Sequence, residues 1–128
     1  NLCDFAARGP ACTAEPQVAR ILGGMLKAGK PVGAICISPA VVAAVVKAAG
    51  VRAELTIGND QETAASLEAM GVKHVACPVG DIHIDEGCNV VSTPAYMLAG
   101  SIREAAEGIE KLVRTILERC GAGVTPAG

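Results

Sequence analysis

The stretch that most constrains the fold of this chain is PVGAICI, residues 31–37, which the helix-start signal Ser38-Pro39 follows immediately. A continuous apolar run of this length is typical of a central parallel strand that helices cover on both faces. Ser38 is a favourable N-cap residue, and Pro39 suits the first position of a helix. The stretch therefore predicts a buried strand that turns directly into a helix, which runs to about Ala49 and ends at Gly50.

Helical and strand patterns alternate along the rest of the chain. After a loop at 1–14, apolar residues at helical spacing predict a helix that starts near residue 15 and ends at Gly29. Asn59 and Glu62 have the spacing of a capping box, which predicts a third helix that Gly71 ends. Two strands are predicted at 54–57 and 74–79, and a hairpin at 82–94.

A long amphipathic helix is predicted from Thr93-Pro94 to about Arg119. Its expected inner face consists of apolar residues at helical spacing, namely Leu98, Ile102, Ala106, Ile109, Leu112, Val113, Ile116 and Leu117. Residues 121–128 are expected to form a disordered tail. The alternation of strands with helices predicts one α/β domain with a mostly parallel sheet.

Composition limits both the core and the classes of ligand. Hydrophobic residues make up 51% of the 128 residues but aromatic residues only 2%, so the core must be aliphatic. The formal net charge is -2 and the basic residues are scattered, which argues against nucleic-acid binding. The longest nearly uncharged stretch, 31–46, is too short to span a bilayer, and no export signal opens the chain. We expect no membrane insertion, and a small molecule or a protein as partner.

Six cysteines stand at positions 3, 12, 36, 77, 88 and 120 without tight pairing. This spacing favours reduced thiols in the cytoplasm or, alternatively, in the mitochondrial matrix. Cys36 is the candidate nucleophile, because the start of the following helix favours a thiolate and offers backbone N–H groups to an oxyanion. That arrangement is a nucleophile elbow. A buried core cysteine explains the same pattern, so both interpretations stay open.

Other chemistry-bearing residues have simpler explanations. His74, Cys77, His83 and Cys88 are residue types that bind zinc, but their spacing matches no compact zinc motif and fits ordinary strand residues. The acidic residues are explained as caps, turns or solvated side chains, namely Asp60, Glu62, Asp81, Asp85 and Glu86. No Walker loop, dinucleotide-binding fingerprint or His-Glu-x-x-His motif occurs. We therefore expect neither a cofactor nor a metal.

Six stretches, in this order, carry a family resemblance that spans nearly the whole chain: NLCDFA, AGKPVGAICISPA, LTIGND, EAMGVKHV, VVSTPAYMLA and GIEKLV. They resemble the ElbB-type, glyoxalase III-like group of class I glutamine amidotransferase-like proteins, within the ThiJ/PfpI superfamily. The resemblance implies a flavodoxin-like, three-layer α/β sandwich. It also implies that Cys36 is the elbow nucleophile or a redox sensor, and that the protein is a homo-oligomer.

The activity that the resemblance implies is a glyoxalase reaction without cofactor. The Cys36 thiolate would attack the aldehyde of methylglyoxal or glyoxal, and proton transfer through an enediol would give a 2-hydroxy acid. Backbone N–H groups of Cys36 and Ile37 would stabilise the oxyanion. The alternative is a non-enzymatic role for the same cysteine, in redox sensing or within a larger assembly.

The sequence departs from the family in two places. Thr93-Pro94-Ala95 stands where true amidotransferases carry a His-x-Glu pair, so glutamine hydrolysis is not expected. Family members are also longer, and a glycine-rich PGGFG segment normally precedes NL. Residues 1–120 are therefore expected to be the C-terminal portion of one such domain. The acidic partner of Cys36 is expected in the portion before it.

Overall fold

The structure is a computed structural model that describes residues 1–121, and the predicted tail lies outside them except for Gly121. Five strands follow the chain order β1 Val32–Ile35, β2 Glu54–Leu55, β3 Lys73–His74, β4 His83–Asp85 and β5 Val90–Thr93. Five helices accompany them: α1 Phe5–Arg8, α2 Pro16–Lys27, α3 Pro39–Ala49, α4 Gln61–Ala69 and α5 Ile102–Arg119. Short 3-10 segments lie at Gly9–Ala11 and Ala95–Met97.

The strands form two sheets. A three-stranded sheet has the order β1-β5-β4, and β2 pairs with β3 in a two-stranded sheet. The pairs β1–β5 and β2–β3 are parallel, with Ile35 opposite Thr93 at the end of β1, while β4 runs antiparallel to β5. The predicted hairpin and the predicted α/β class are therefore confirmed.

Helices cover both faces of β1. Val32 and Ala34 belong to a core cluster with residues of α3, and side chains of α2 pack against it. The intervening Gly33 faces α5, because a Cβ built on it would lie 2.9 Å from Leu112 Cδ2. Successive residues of a strand point to opposite faces, so α2 and α3 lie on one face and α5 on the other. The cluster is aliphatic, as the composition predicts.

Side chains join the two sheets. The Glu54 N–H of β2 donates to Asp85 Oδ2 of β4 at 2.6 Å, and the Thr56 N–H donates to Ser92 Oγ of β5 at 3.0 Å. Ser92 is fully buried and Asp85 is 9% exposed. A buried backbone N–H needs a hydrogen-bond acceptor. No strand pairing joins the two sheets here, so the side chains of Asp85 and Ser92 accept these N–H groups instead.

Several predicted boundaries were wrong. The strand predicted at 31–37 ends at Ile35, and the strands at 54–57 and 74–79 shorten to two residues each, Glu54–Leu55 and Lys73–His74. The loop predicted at 1–14 contains α1. The cap of α4 is Asp60 rather than Asn59, since Asp60 Oδ2 accepts the Thr63 N–H at 2.9 Å. No helix of the described residues is long and apolar enough to cross a membrane.

The last helix starts later than predicted, and of the predicted inner face only Leu112 is buried. Thr93-Pro94 leads into the 3-10 segment, and α5 begins only after Ser101, whose Oγ accepts the Glu104 N–H at 3.2 Å. Its buried residues are Ala105, Gly108 and Leu112. The predicted inner residue Ile102 is 79% exposed, and Val113 and Leu117 are 47% and 43% exposed. Small residues face the sheet because α5 lies very close to it.

We expect Gly108→Ala to lower the free energy of unfolding by about 2 kcal/mol through overpacking. A Cβ at this position would lie 2.5 Å from Thr93 Oγ1 and 2.7 Å from the Val79 carbonyl oxygen, and the second atom is backbone that cannot rotate away. Urea unfolding followed by circular dichroism measures the change.

Gly23→Ala in α2 is the matched control. Nothing lies within 4 Å of the position that its Cβ would occupy, so the helix propensity of alanine should stabilise the protein by about 1 kcal/mol. Equal effects of the two substitutions would contradict the close approach of α5 to the sheet.

Candidate active site

Cys36 lies in the turn between β1 and α3. Its φ is +64°, in the left-handed region that costs an L-residue roughly 1–2 kcal/mol. β1 ends at Ile35 and α3 begins at Pro39, so three residues connect strand and helix. The thiol therefore stands at the N-terminal end of α3, where the helix dipole favours negative charge. This is the geometry that the sequence predicts for a nucleophile elbow.

Three hydrogen bonds hold the turn. The Cys36 N–H donates to the Thr93 carbonyl oxygen at 3.0 Å, and the Ser38 N–H donates to the Ile35 carbonyl oxygen at 3.1 Å. The Ile35 N–H donates to Ser38 Oγ at 2.7 Å. Ser38 thus differs from its predicted role, because its hydroxyl caps no N–H of α3 and returns to the end of β1 instead.

The hydrogen bond from the Cys36 N–H to Thr93 occupies one of the two predicted oxyanion donors. The Cys36 N–H is held in the β1–β5 ladder, so an oxyanion role for it does not fit this geometry. The Ile37 N–H has no acceptor among residues 1–121, and the Ile37 side chain is 44% exposed. Of the two predicted donors, only that of Ile37 is free to bind an oxyanion.

A second strained residue lies at the end of the neighbouring strand. In the described part of the chain, the non-glycine residues with positive φ are Cys36, Asn89 and Ala95. Asn89 lies in the turn between β4 and β5, where asparagine tolerates this conformation. Ala95, at φ +44° and fully buried, lies two residues beyond the end of β5. Strain of this kind clusters at functional sites, and the sequence indicated Ala95 only as part of the stretch that stands in place of a His-x-Glu pair.

An apolar cleft of about 300 Å³ flanks the elbow. Its walls include the neighbours of Cys36 on both sides, Ile35 and Ile37, together with Leu2, Phe5 and Val41. A larger groove of about 540 Å³ runs along α2 and α3, and its lining does not include the elbow. The cleft is therefore lined by three residues of the elbow region, Ile35, Ile37 and Ser38, while Cys36 itself is not part of its lining.

Burial lowers the reactivity of three of the other five thiols. All six cysteines are free, and Cys36 is partly buried. Burial raises the pKa of Cys77 to about 11, and it also raises the pKa of Cys12 and of Cys88. The thiolate is the reactive form, so these three are poor nucleophiles near neutral pH.

The four residues considered as zinc ligands have separate structural partners. His74 Nε2 accepts the Ile57 N–H at 3.2 Å, and His83 Nε2 lies 3.1 Å from Glu54 Oε1. The thiols of Cys77 and Cys88 donate to the carbonyl oxygens of Pro78 and Arg52, each at 3.4 Å. Within residues 1–121, no group of three or more His, Cys, Asp or Glu side chains is arranged to hold a metal ion.

Comparison with known proteins gives related chains of about twice this length. No family model matches. The glutamine amidotransferase-like class 1 domain-containing protein 3, mitochondrial, of Homo sapiens is 37% identical over 130 residues, which cover 94% of this chain and 47% of that protein. The ES1 protein homolog, mitochondrial, of Rattus norvegicus is 36% identical with the same coverage. This chain therefore spans about half the length of these relatives.

A solved structure shows the same fold. The isoprenoid biosynthesis protein with amidotransferase-like domain from Ehrlichia chaffeensis aligns with a TM-score of 0.77 and 31% identity. The alignment covers 83% of this chain and 48% of that one. The predicted flavodoxin-like α/β fold is thereby confirmed, with this chain matching part of it.

We expect the free energy of unfolding to fall as the pH drops from about 7.5 to about 5, in part through His74. Burial lowers the pKa of His74 below its ordinary 6.5, and the nearby His83 lowers it further while Glu68 opposes both. The unfolded chain then binds the proton first, so stability present above pH 6.5 is lost below it. His74→Gln, which keeps an acceptor for the Ile57 N–H, should flatten this dependence in urea titrations. An unchanged slope would contradict the role of His74.

We expect iodoacetamide at about pH 8 to alkylate Cys36 before Cys12, Cys77 and Cys88, because burial raises the pKa of those three. Mass spectrometry of the native protein, read residue by residue, gives the order. The exposed Cys120 reports the rate of an accessible thiol in the same molecule. Labelling of Cys36 as slow as that of Cys77 would mean that the elbow thiol is an inert core residue.

Proposed function

The chain is a homologue of the glutamine amidotransferase-like class 1 domain proteins, and we propose that it uses Cys36 to convert small 2-oxoaldehydes to 2-hydroxy acids without a cofactor. The observation that carries the proposal is the left-handed conformation of Cys36 between β1 and the N-terminus of α3. This conformation supports the proposal because it sets the thiol at the N-terminal end of α3. The helix dipole favours a thiolate there, and the neighbouring Ile37 N–H has no acceptor among residues 1–121.

The first step is attack of the Cys36 thiolate on the aldehyde carbon of methylglyoxal or glyoxal. A carbon–sulfur bond forms, and the carbonyl electron pair moves to the oxygen. We propose the Ile37 N–H as the donor to this oxyanion, and its lack of an acceptor among residues 1–121 supports this role. A donor of this kind stabilises charge that develops only during the reaction.

The later steps redistribute protons within the bound substrate. The aldehyde proton moves by way of an enediol to the neighbouring carbon, which leaves a thioester on Cys36 and a hydroxyl on that carbon. Water then cleaves the thioester, which releases the 2-hydroxy acid and the thiolate. The sum is addition of one water to the 2-oxoaldehyde, so no external oxidant or reductant is required. The acidic group that moves these protons is expected in the portion of the relatives that this chain does not span.

Glutamine hydrolysis is not part of the proposal, although the human relative is named amidotransferase-like. That chemistry needs a histidine beside the nucleophile, and the chain has only two. His74 accepts the Ile57 N–H, and His83 pairs with Glu54, so both serve the β2–β3 and β4 region. The turn after β5, beside Cys36, carries Thr93-Pro94-Ala95.

Redox sensing by Cys36 is the alternative function. The observation that favours it is the thiol itself, which makes no hydrogen bond to a histidine or a carboxylate within residues 1–121. Peroxide would transfer one oxygen to the thiolate, giving sulfenic acid and water, and a second peroxide would give sulfinic acid.

The human and rat relatives are named mitochondrial, which favours the matrix over the cytoplasm as the compartment. Homo-oligomer formation stays a prediction.

We expect Cys36→Ser in the full-length protein to reduce conversion of methylglyoxal to lactate to the uncatalysed rate, because the hydroxyl is a far weaker nucleophile at neutral pH. Lactate is quantified without glutathione present. Cys120→Ser, which changes an exposed thiol, is the control and should keep full turnover. Unchanged turnover in Cys36→Ser would rule out the proposed mechanism. Selective sulfinic acid at Cys36 under mild peroxide, with no turnover in the wild type, would select the redox alternative.

A further inference from the structure

We propose that Ser38 is a positioning residue, whose hydroxyl holds Cys36 in the elbow conformation that its chemistry requires. The proposal rests on the function proposed for Cys36, and it assigns to Ser38 a part that its sequence pattern does not indicate. A serine directly before the first residue of a helix normally caps that helix. Here the side chain turns away from α3 and accepts the Ile35 N–H at 2.7 Å.

The position of β1 in its sheet explains why this hydrogen bond forms. Alternate residues of a strand direct their backbone groups to opposite edges. The N–H groups of Val32 and Cys36 donate to β5 and the turn before it, through the carbonyl oxygens of Asn89 and Thr93. The Ile35 N–H points to the other edge, where no strand pairs with β1 in the described part of the chain. Ser38 Oγ supplies the acceptor that a neighbouring strand would otherwise provide.

A second hydrogen bond joins Ile35 and Ser38. The Ser38 N–H donates to the Ile35 carbonyl oxygen at 3.1 Å. Ile35 and Ser38 therefore close a ring of two hydrogen bonds around Cys36 and Ile37. Cys36 adopts a positive φ within this ring, a conformation that an L-residue leaves readily when it is not held.

The ring also orients the free donor of the site. The neighbouring carbonyl oxygens accept hydrogen bonds from the first turn of α3. The Ala40 N–H donates to the Ile37 carbonyl oxygen at 3.0 Å, and the Val41 N–H donates to the Ser38 carbonyl oxygen at 2.9 Å. The Ile37 N–H is left without an acceptor among residues 1–121. Rotation about the φ angle of Cys36 would move the thiol and this N–H together. Ser38 opposes that rotation, so it positions the nucleophile and the oxyanion donor as one unit.

The test compares rates of Cys36 alkylation by iodoacetamide in the native wild type and in Ser38 variants. Ser38→Ala removes the acceptor, and we expect the rate at Cys36 to fall about five- to tenfold as the elbow relaxes. The side chains introduced by Ser38→Thr and Ser38→Val have nearly the same shape and differ in the hydroxyl. The threonine variant should stay within about twofold of the wild type and the valine variant should not. This pair decides the question even where Ser38→Ala does not fold.

Two controls separate positioning from general loosening. Ser101→Ala removes a hydrogen bond of the same kind, from the Glu104 N–H to Ser101 Oγ at 3.2 Å, and should leave the Cys36 rate unchanged. The buried Cys77 reports opening of the whole protein, and its rate should stay as in the wild type. A Cys36 rate that is insensitive to the hydroxyl, or one that changes only together with the Cys77 rate, would overturn the proposal.

Aldehyde turnover is measured on the same samples. If the wild type is active, Ser38→Ala should lower kcat more than it raises KM, and Ser38→Thr should restore kcat. If the wild type does not convert the aldehyde, the proposed function fails, while the alkylation rates still decide whether Ser38 positions the thiol.

Discussion

Parallel pairing of β1 with β5 is the interaction on which the candidate site depends. The register sets Ile35 opposite Thr93, so both strands end at the same level of the sheet. The last bond of this ladder runs from the Cys36 N–H to the Thr93 carbonyl oxygen, and it extends the pairing one residue beyond β1. The elbow is thus anchored to the sheet on its β5 side, and the strained turn at Ala95 lies beside it. A shift in this register would move the thiol away from both.

The close approach of α5 keeps this ladder in place. Thr93 Oγ1 donates to the Asp81 carbonyl oxygen at 2.7 Å, and Gly108 lies directly over the same side chain. Small residues at Ala105 and Gly108 let the helix backbone approach the sheet, which leaves little space for Thr93 to move. Towards the other end, Arg119 donates to Asn89 Oδ1 at 2.7 Å, so α5 also holds the turn that precedes β5. Packing far from Cys36 therefore stabilises the strand that anchors it.

The sequence predicts those features that depend on local pattern. The run at 31–37 and the Ser38-Pro39 signal predicted a strand that turns directly into a helix at Cys36, although a core cysteine explained the same pattern, and the scarcity of aromatic residues predicted the aliphatic core. The role of Ser38 was beyond such reasoning, because capping is a local preference, whereas the edge of β1 that no strand of residues 1–121 pairs with is a property of the assembled sheet. The buried face of α5 was missed for a related reason. Hydrophobicity favours Ile102 and Val113, but the close approach of helix and sheet buries the small residues Ala105 and Gly108 instead, and Leu112 fits on this face over Gly33.

The arrangement of polar groups limits the chemistry that this part of the fold can perform alone. Both histidines satisfy groups of the β2–β3 and β4 region, and Asp85 and Ser92 accept N–H groups where the sheets meet. Among the described residues, every buried side-chain nitrogen or oxygen has a partner. The elbow, by contrast, offers a thiol and one N–H without an acceptor. A nucleophile and an oxyanion donor are sufficient for addition to a carbonyl, whereas release of ammonia from an amide needs a proton donor as well. The aldehyde proposed as substrate has no leaving group to protonate in this first step, whereas the later proton transfers of the proposed reaction need a further acid or base.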